Sequence, residues 1–222
     1  MVPAAAKVIG RSKGVKENHG NVGGTMRNQI RGWAFLAVGF AITIWMAGCG
    51  DWAYAQQPLP SDTYYSPETN LEARDVSVLD SAQKTIDMAA FSLTDDAIVK
   101  VLADRAAHGV AIRIYLDRGE LQAECRGDAS CARIPLHGLI GLANVQIRVK
   151  HSKVLMHLKS YCVDSGLVRG GSANFSEQGE RKQDNSATVS VDPESTKAFE
   201  TKFAAMWARP DNLTVAQAVA GT

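Results

Sequence analysis

Residues 86–117 read IDMAAFSLTDDAIVKVLADRAAHGVAIRIYLD. Ile86 to Phe91 is a short apolar strand. Asp95-Asp96 opens a helix over Ala97–Ala107, since an aspartate at the N-cap accepts from the first free backbone N–H groups. His108-Gly109 stands where a C-cap glycine ends a helix. Val110 to Leu116 then alternates with the period of a strand and stops at Asp117. Strand, helix and strand in succession imply an α/β sandwich.

The same reading extends in both directions. Leu71 to Thr85 has helical spacing, with Val76, Leu79, Ala82 and Ile86 on one face. Leu121 to Leu142 is loop-rich with short helical turns. Val145–Val149 is a strand, and Lys153–Lys159 with Ser160–Val163 reads as a pair of strands. Leu167–Gly170 leads into a Gly-Gly turn, Ala187–Val191 is a strand, and Pro193–Ala208 is an amphipathic helix. Pro210 onward reads as a flexible tail. The expected fold is therefore α/β, a mixed β-sheet flanked by helices in one domain over 64–209, with no internal repeat.

The chain has 222 residues, 45% hydrophobic and 21% charged, with a formal charge of +1. These values exclude collagen-like, disordered and small disulfide-scaffold classes. The charge is unevenly spread. Arg27 and Arg31 precede Trp33–Gly48, a run without a charged residue. That run is short for a membrane span but suits the apolar core of a signal peptide. Ala53-Tyr54-Ala55 follows as an A-x-A cleavage site, so residues 1–55 read as an N-terminal extension and signal peptide, started at Met26 and cleaved after Ala55. Residues 56–63 read as a linker. Lipidation at Cys49 and an uncleaved signal anchor are the alternatives. All three place the domain outside the cytoplasm, periplasmic or secreted, and cleavage leaves no stable membrane span. The leader holds six cations and two anions, so 18 of 24 Lys+Arg and 21 of 23 Asp+Glu remain, a net of −3.

In an oxidising compartment Cys125 and Cys131, six apart in a polar stretch, are expected to form a local disulfide. Cys162 lies in an apolar strand as a buried free thiol. Cys125, Cys131 and His137 match no common zinc spacing.

Of the five histidines only His157 has a chemical context. Lys159 follows at +2, Asp164 at +7, and Gly171-Ser172-Ala173-Asn174 after that. On a strand, positions i and i+2 share a side, so His157 and Lys159 present an imidazole and an ammonium together. The glycine-rich turn offers a hydroxyl, an amide and backbone N–H groups to an anion. A nucleophile beside a cation and neutral donors suits a phosphodiester, whose trigonal-bipyramidal state gains negative charge.

HLKSYCVD followed by GLVRGGSANFS resembles the HxKx4D…GSxN motif of the phospholipase D superfamily, and the similarity covers roughly Tyr64 to Arg209. The short length and the leader look most like the small secreted bacterial endonucleases of that family. The resemblance implies a metal-independent, cofactor-free hydrolysis in which His157 forms a phosphohistidine. It implies that Lys159 and Asn174 hold the non-bridging oxygens with help from Ser172, and that Asp164 belongs to the motif in a mainly structural role. It also implies a carboxylate that orients the imidazole. Asp184 fills that place one methylene short of the usual Glu, with Glu177 and Glu180 as fallbacks.

In-line displacement needs a nucleophile on one face of phosphorus and a proton donor on the other. With one motif, a homodimer pairing two His157 side chains would supply both. DNA, and RNA with it, is the expected substrate. Lipid phosphodiesters and non-catalytic nucleic-acid binding are the alternatives. Arg148, Lys150, Lys153, Lys159, Arg169, Arg181 and Lys182 cluster around the motif and are expected to track a phosphate backbone, Lys153 and Arg181 among them as substrate contacts. Beyond Phe175 there is no clear aromatic stacking platform, so base recognition is not expected.

Overall fold

The computed structural model describes residues 61–221. The leader, the proposed cleavage site, Cys49 and most of the expected linker lie outside the described residues. Seven strands form one open sheet in the order β1-β7-β6-β5-β2-β3-β4. They are β1 (Ser61–Ser66), β2 (Thr85–Ala90), β3 (Ala111–Leu116), β4 (Val145–Val149), β5 (Lys159–Val163), β6 (Leu167–Gly171) and β7 (Asn185–Ser190). β2, β3 and β4 are parallel and the remaining pairings antiparallel. The helices are α1 (Leu71–Asp80), α2 (Asp96–Ala107), α3 (Arg118–Cys125), α4 (Glu177–Arg181), α5 (Pro193–Trp207) and α6 (Val215–Ala220).

The βαβ unit forms as its residues dictate. Asp95 accepts from Ala97 N and Ile98 N, and the chain leaves α2 through Gly109 at φ 91°. The helix buries Ile98, Val99, Val101, Leu102 and Ala106 against Ile86, Met88, Ile112 and Ile114 of the sheet. On the other face, Phe203 and Met206 of α5 cover Ala89 and Tyr115. Among the described residues no helix is long and apolar enough to cross a membrane.

Four local expectations are corrected. The first helix ends at Asp80 rather than Thr85, because the N–H groups of Gln83, Lys84 and Thr85 all donate to Asp164 at 2.8 Å and cannot continue the helix. Ser61–Thr63 is not linker but the first half of β1, a polar edge strand that pairs only with β7. Lys153–Leu158 is an irregular loop, not a strand. Lys150 Nζ binds the carbonyls of Val154 and Leu155, and both edges of β5 are already taken by β2 and β6. Gly170 and Gly171 end β6, and the turn follows them.

The expected tail is also structured. Val149 and Leu213 exchange two backbone hydrogen bonds of 2.9 Å. Thr214 and Gln217 then close a capping box on α6, and Val215, Ala218 and Val219 are buried on the spacing i, i+3, i+4. Gln122 of α3 donates to Ala218 O at 2.7 Å. Truncation after Pro210 is expected to cost about 2–4 kcal/mol by loss of this apolar burial. Urea unfolding of the truncated and full chains measures it.

Candidate active site

The topology brings one set of loops to a single edge of the sheet. Phe91 follows β2, Asp117 follows β3, and the loop from Lys150 to Leu158 follows β4. Lys159 starts β5, Ser172–Asn174 follow β6, and Asp184 precedes β7. The C-terminal edge of parallel strands is the usual place for a site in an open α/β sheet.

His157 is exposed, its ring edge-on to Phe91 with centroids 4.6 Å apart. Lys159 is only 5% exposed, and its Nζ lies 4.5 Å from the centre of the same Phe91 ring. That ammonium also donates to His157 O at 3.0 Å. Burial lowers the Lys159 pKa, against the opposing pull of Glu120 and Asp117. Imidazole and ammonium are thus set by one aromatic ring, a contact that residue spacing alone does not reveal.

The loop carrying His157 is fixed from α3. Asp117, 2% exposed, accepts from Glu120 N at 3.0 Å as the helix N-cap and from Met156 N at 2.7 Å. One turn further on, burial pushes Glu124 up to about 7, with Ser92 Oγ donating to it at 2.5 Å. The disulfide between Cys125 and Cys131 closes the end of α3, so neither cysteine is free to join His137 in a metal site. Cys162 is buried and free, as expected.

Asn174 and Ser172 sit on a turn held from two directions. A Cβ on Gly171, at φ 152°, would lie 2.2 Å from Ser186 O. A Cβ on Gly179 would lie 2.5 Å from Asn174 O, so α4 packs directly on the Asn174 backbone. Ser172 Oγ donates to Asn185 Oδ1 at 3.0 Å and accepts from Ser186 N at 2.9 Å. Asn174 Oδ1 is buried without a hydrogen-bond partner, which leaves the amide uncommitted.

Beneath the site lies Arg169, fully buried. Its Nη1 donates to Lys159 O at 2.8 Å and Ala173 O at 3.2 Å, linking the ammonium-bearing strand to the Ser172–Asn174 turn. Its Nε donates to Asp75 Oδ1 at 3.2 Å and its Nη2 to Glu180 Oε1 at 3.0 Å. Asp75 Oδ2 lies 2.8 Å from Nη2 as an ion pair, outside hydrogen-bond geometry. Two buried carboxyl groups on one guanidinium leave a surplus negative charge. Burial, with Asp75 adding to it against Arg169, pushes Glu180 up to about 9, so it holds its proton at neutral pH.

Other expected site residues are placed elsewhere. Asp164 lies at the opposite edge of the sheet, five residues or about 16 Å along β5 from Lys159. There its carboxylate binds three backbone N–H groups, which outweigh burial and hold its pKa below the ordinary range. Its role is structural. Asp184 is exposed at the start of β7, two strands from β5, and no hydrogen bond joins it to His157. Glu180 is committed to Arg169. Glu177 pairs with Arg181 at 3.2 Å and Lys182 at 2.9 Å, and Glu72 also meets Arg181 at 3.4 Å. Arg148 stacks on Trp207 at 4.5 Å. Of the expected cationic track, Arg148, Arg169, Arg181 and Lys182 are therefore engaged with protein groups and Lys150 ties its own loop, while Lys153 is exposed beside the site. Phe175 is fully buried under Arg169 and offers no stacking surface.

The protonated Glu180 gives a pH signature. Its folded pKa lies above its ordinary 4.5. Between those two values the folded chain binds one more proton than the unfolded chain, so stability falls as pH rises through the window and levels off above about 9. Glu180→Gln removes that slope, of about 1 kcal/mol per pH unit. Denaturation of both proteins from pH 5 to pH 9 checks it.

A family model described as cardiolipin synthase, PLD-like domain, matches residues 76–207. The mitochondrial cardiolipin hydrolase of Chlamydomonas reinhardtii is 28% identical over 144 residues, 64% of this chain and 60% of that protein. The phospholipase D of Rickettsia bellii is 25% identical over 137 residues, 62% of this chain and 64% of that one. The chain thus spans less than two thirds of the length of these curated relatives. Among solved structures, the phospholipase D family member Nuc from Salmonella typhimurium superposes with a TM-score of 0.58 at 25% identity, covering 69% of this chain and 97% of Nuc. NucT from Helicobacter pylori shares the fold at a TM-score of 0.59 and 17% identity, covering 67% of this chain and 96% of NucT. With more than half its length matched by the family model, the chain belongs to the phospholipase D superfamily as a PLD-like domain.

Proposed function

We propose that this protein is an exported endonuclease that hydrolyses DNA, and RNA with it, through a phosphohistidine on His157. The observation that carries the reading is the convergence of His157, Lys159 and the Ser172–Asn174 turn at one sheet edge. The resemblance to the small secreted endonucleases of the family favours a nucleic acid over a lipid, and Nuc, 97% of which is covered, has a comparable extent. The formed Cys125–Cys131 disulfide agrees with an oxidising compartment and so with the leader ending at Ala55.

In the first step a His157 nitrogen bonds to phosphorus as the bond to the leaving oxygen breaks. Lys159 and Asn174 carry the charge on the non-bridging oxygens, with Ser172 assisting. The leaving oxygen takes a proton from the His157 imidazole of a second copy. That imidazole then removes a proton from water, whose oxygen bonds to phosphorus as the P–N bond breaks. Val154 and Leu155, 72% and 57% exposed just before His157, supply apolar surface for the second copy. The same pair would favour a lipid diester as the second reading, in keeping with the names of the curated relatives.

The protein is expected to nick plasmid DNA in EDTA, and His157→Ala to abolish it. Val154→Asp should shift the protein to a monomer in sedimentation and lower activity most at low enzyme concentration. Choline release from phosphatidylcholine without DNA cleavage would replace the nuclease reading. Cleavage that needs Mg²⁺ and survives His157→Ala would overturn the mechanism.

A further inference from the structure

Beside the Ser172 turn lies a cleft of about 320 Å³ lined by Tyr65, Ser66, Glu68, Ser172, Asp184 and Asn185. Tyr64 and Tyr65 are successive residues of β1 and so point to opposite faces. Tyr64 packs inward on Leu71, Ala173 and Ala187, under Arg74 at 4.4 Å. Tyr65 is 61% exposed, and no hydrogen bond from its hydroxyl is made among the described residues. A large ring left in water at the mouth of a cleft that opens on the catalytic turn has a free face to offer.

The cleft is built from groups already tied to the site. Ser66 Oγ donates to Gln183 O at 2.8 Å and lies 3.4 Å from Gly179 O. Asn185 Nδ2 donates to the same Gly179 O at 3.1 Å, while its Oδ1 receives Ser172 Oγ. Tyr65 therefore stands on a wall continuous with Ser172, in register with Ser186. Its other polar groups are carboxylates, Glu68 and Asp184. They repel a phosphate and accept from N–H donors such as the exocyclic amino groups of bases. From β5 to β1 is three strand spacings, roughly 14 Å, so the cleft sits to one side of the scissile phosphate and not on it.

We propose that this cleft is a base-binding subsite, in which Tyr65 stacks on an unpaired base of a nucleotide flanking the scissile phosphate while Glu68 and Asp184 accept from its amino edge. The proposal rests on the nuclease reading and refines it. A paired base cannot reach the ring, so single strands are the preferred substrate. Bases carrying an exocyclic amino group are favoured over thymine. With Phe175 buried, Tyr65 is an exposed aromatic ring beside the Ser172 turn.

The test pairs a protein change with a substrate change in the full-length chain carrying His157→Ala, which blocks turnover. Binding of a fluorescent single-stranded oligonucleotide is read by anisotropy, with one abasic site moved along the strand. Tyr65→Ala is expected to weaken binding to the intact strand roughly tenfold and Tyr65→Phe to leave it near the Tyr65 level. One abasic position should weaken binding equally in the Tyr65 protein and not at all in the Tyr65→Ala protein, the non-additivity of groups in contact. Equal binding by the Tyr65 and Tyr65→Ala proteins overturns the proposal. So do losses that simply add at every position, which would mean that the ring acts through the fold or a contact between copies. Displacement of the strand by choline in a Tyr65-dependent way would assign the cleft to a cationic headgroup and overturn it too. These results fall on the subsite alone when the protein with His157 cuts the same strand. If that protein cuts no nucleic acid, the nuclease reading fails and the subsite with it.

Discussion

A single buried guanidinium holds the reactive edge of this protein together. Arg169 reaches Asp75 on α1, Glu180 on α4, the carbonyl of Lys159 on β5 and the carbonyl of Ala173 in the turn after β6. Leaving a buried charge without its partners costs several kcal/mol, so these four segments hold one arrangement together or none. That arrangement ties the strand carrying Lys159 to the Ser172–Asn174 turn. The proton kept on Glu180 brings the buried cluster close to neutrality beneath the Ser172–Asn174 turn.

The chemistry-bearing residues then depend on small local devices. Phe91 faces both His157 and Lys159, Asp117 pins Met156, and Gly171 and Gly179 admit backbone where any Cβ would collide. Each device lies where the sheet delivers its loops, so the parallel unit β2-α2-β3 and the antiparallel run β5-β6-β7 meet at one edge. Asp164 performs the matching task at the other edge, by gathering three amides where β2 begins.

The α/β character was legible because periodicity and capping agree over Ile86–Asp117, and His157, Lys159, Ser172 and Asn174 were legible as a spaced pattern. What failed had physical reasons. A polar edge strand such as Ser61–Ser66 carries no alternation, and its pairing with β7 is known only in three dimensions. Residues from Pro210 onward read as a tail because the six residues of α6 cannot stand alone as a helix, yet Val149 and α3 receive them. Cations counted along the chain looked like a phosphate track until Arg169 proved to be core and Arg181, Lys182 and Arg148 proved to be engaged with Glu177 or Trp207. The importance of Arg169 itself was invisible, since a charge in a strand is ordinarily solvated.

The proposed reaction attaches the His157 imidazole covalently to phosphorus. Mass spectrometry of protein quenched in base during turnover of a phosphodiester tests it most directly. An acid-labile phosphoryl adduct on the His157 peptide, gone when turnover ends, is the expected result. Sustained hydrolysis with His157 unmodified at every time point, or with the adduct on another residue, would contradict it.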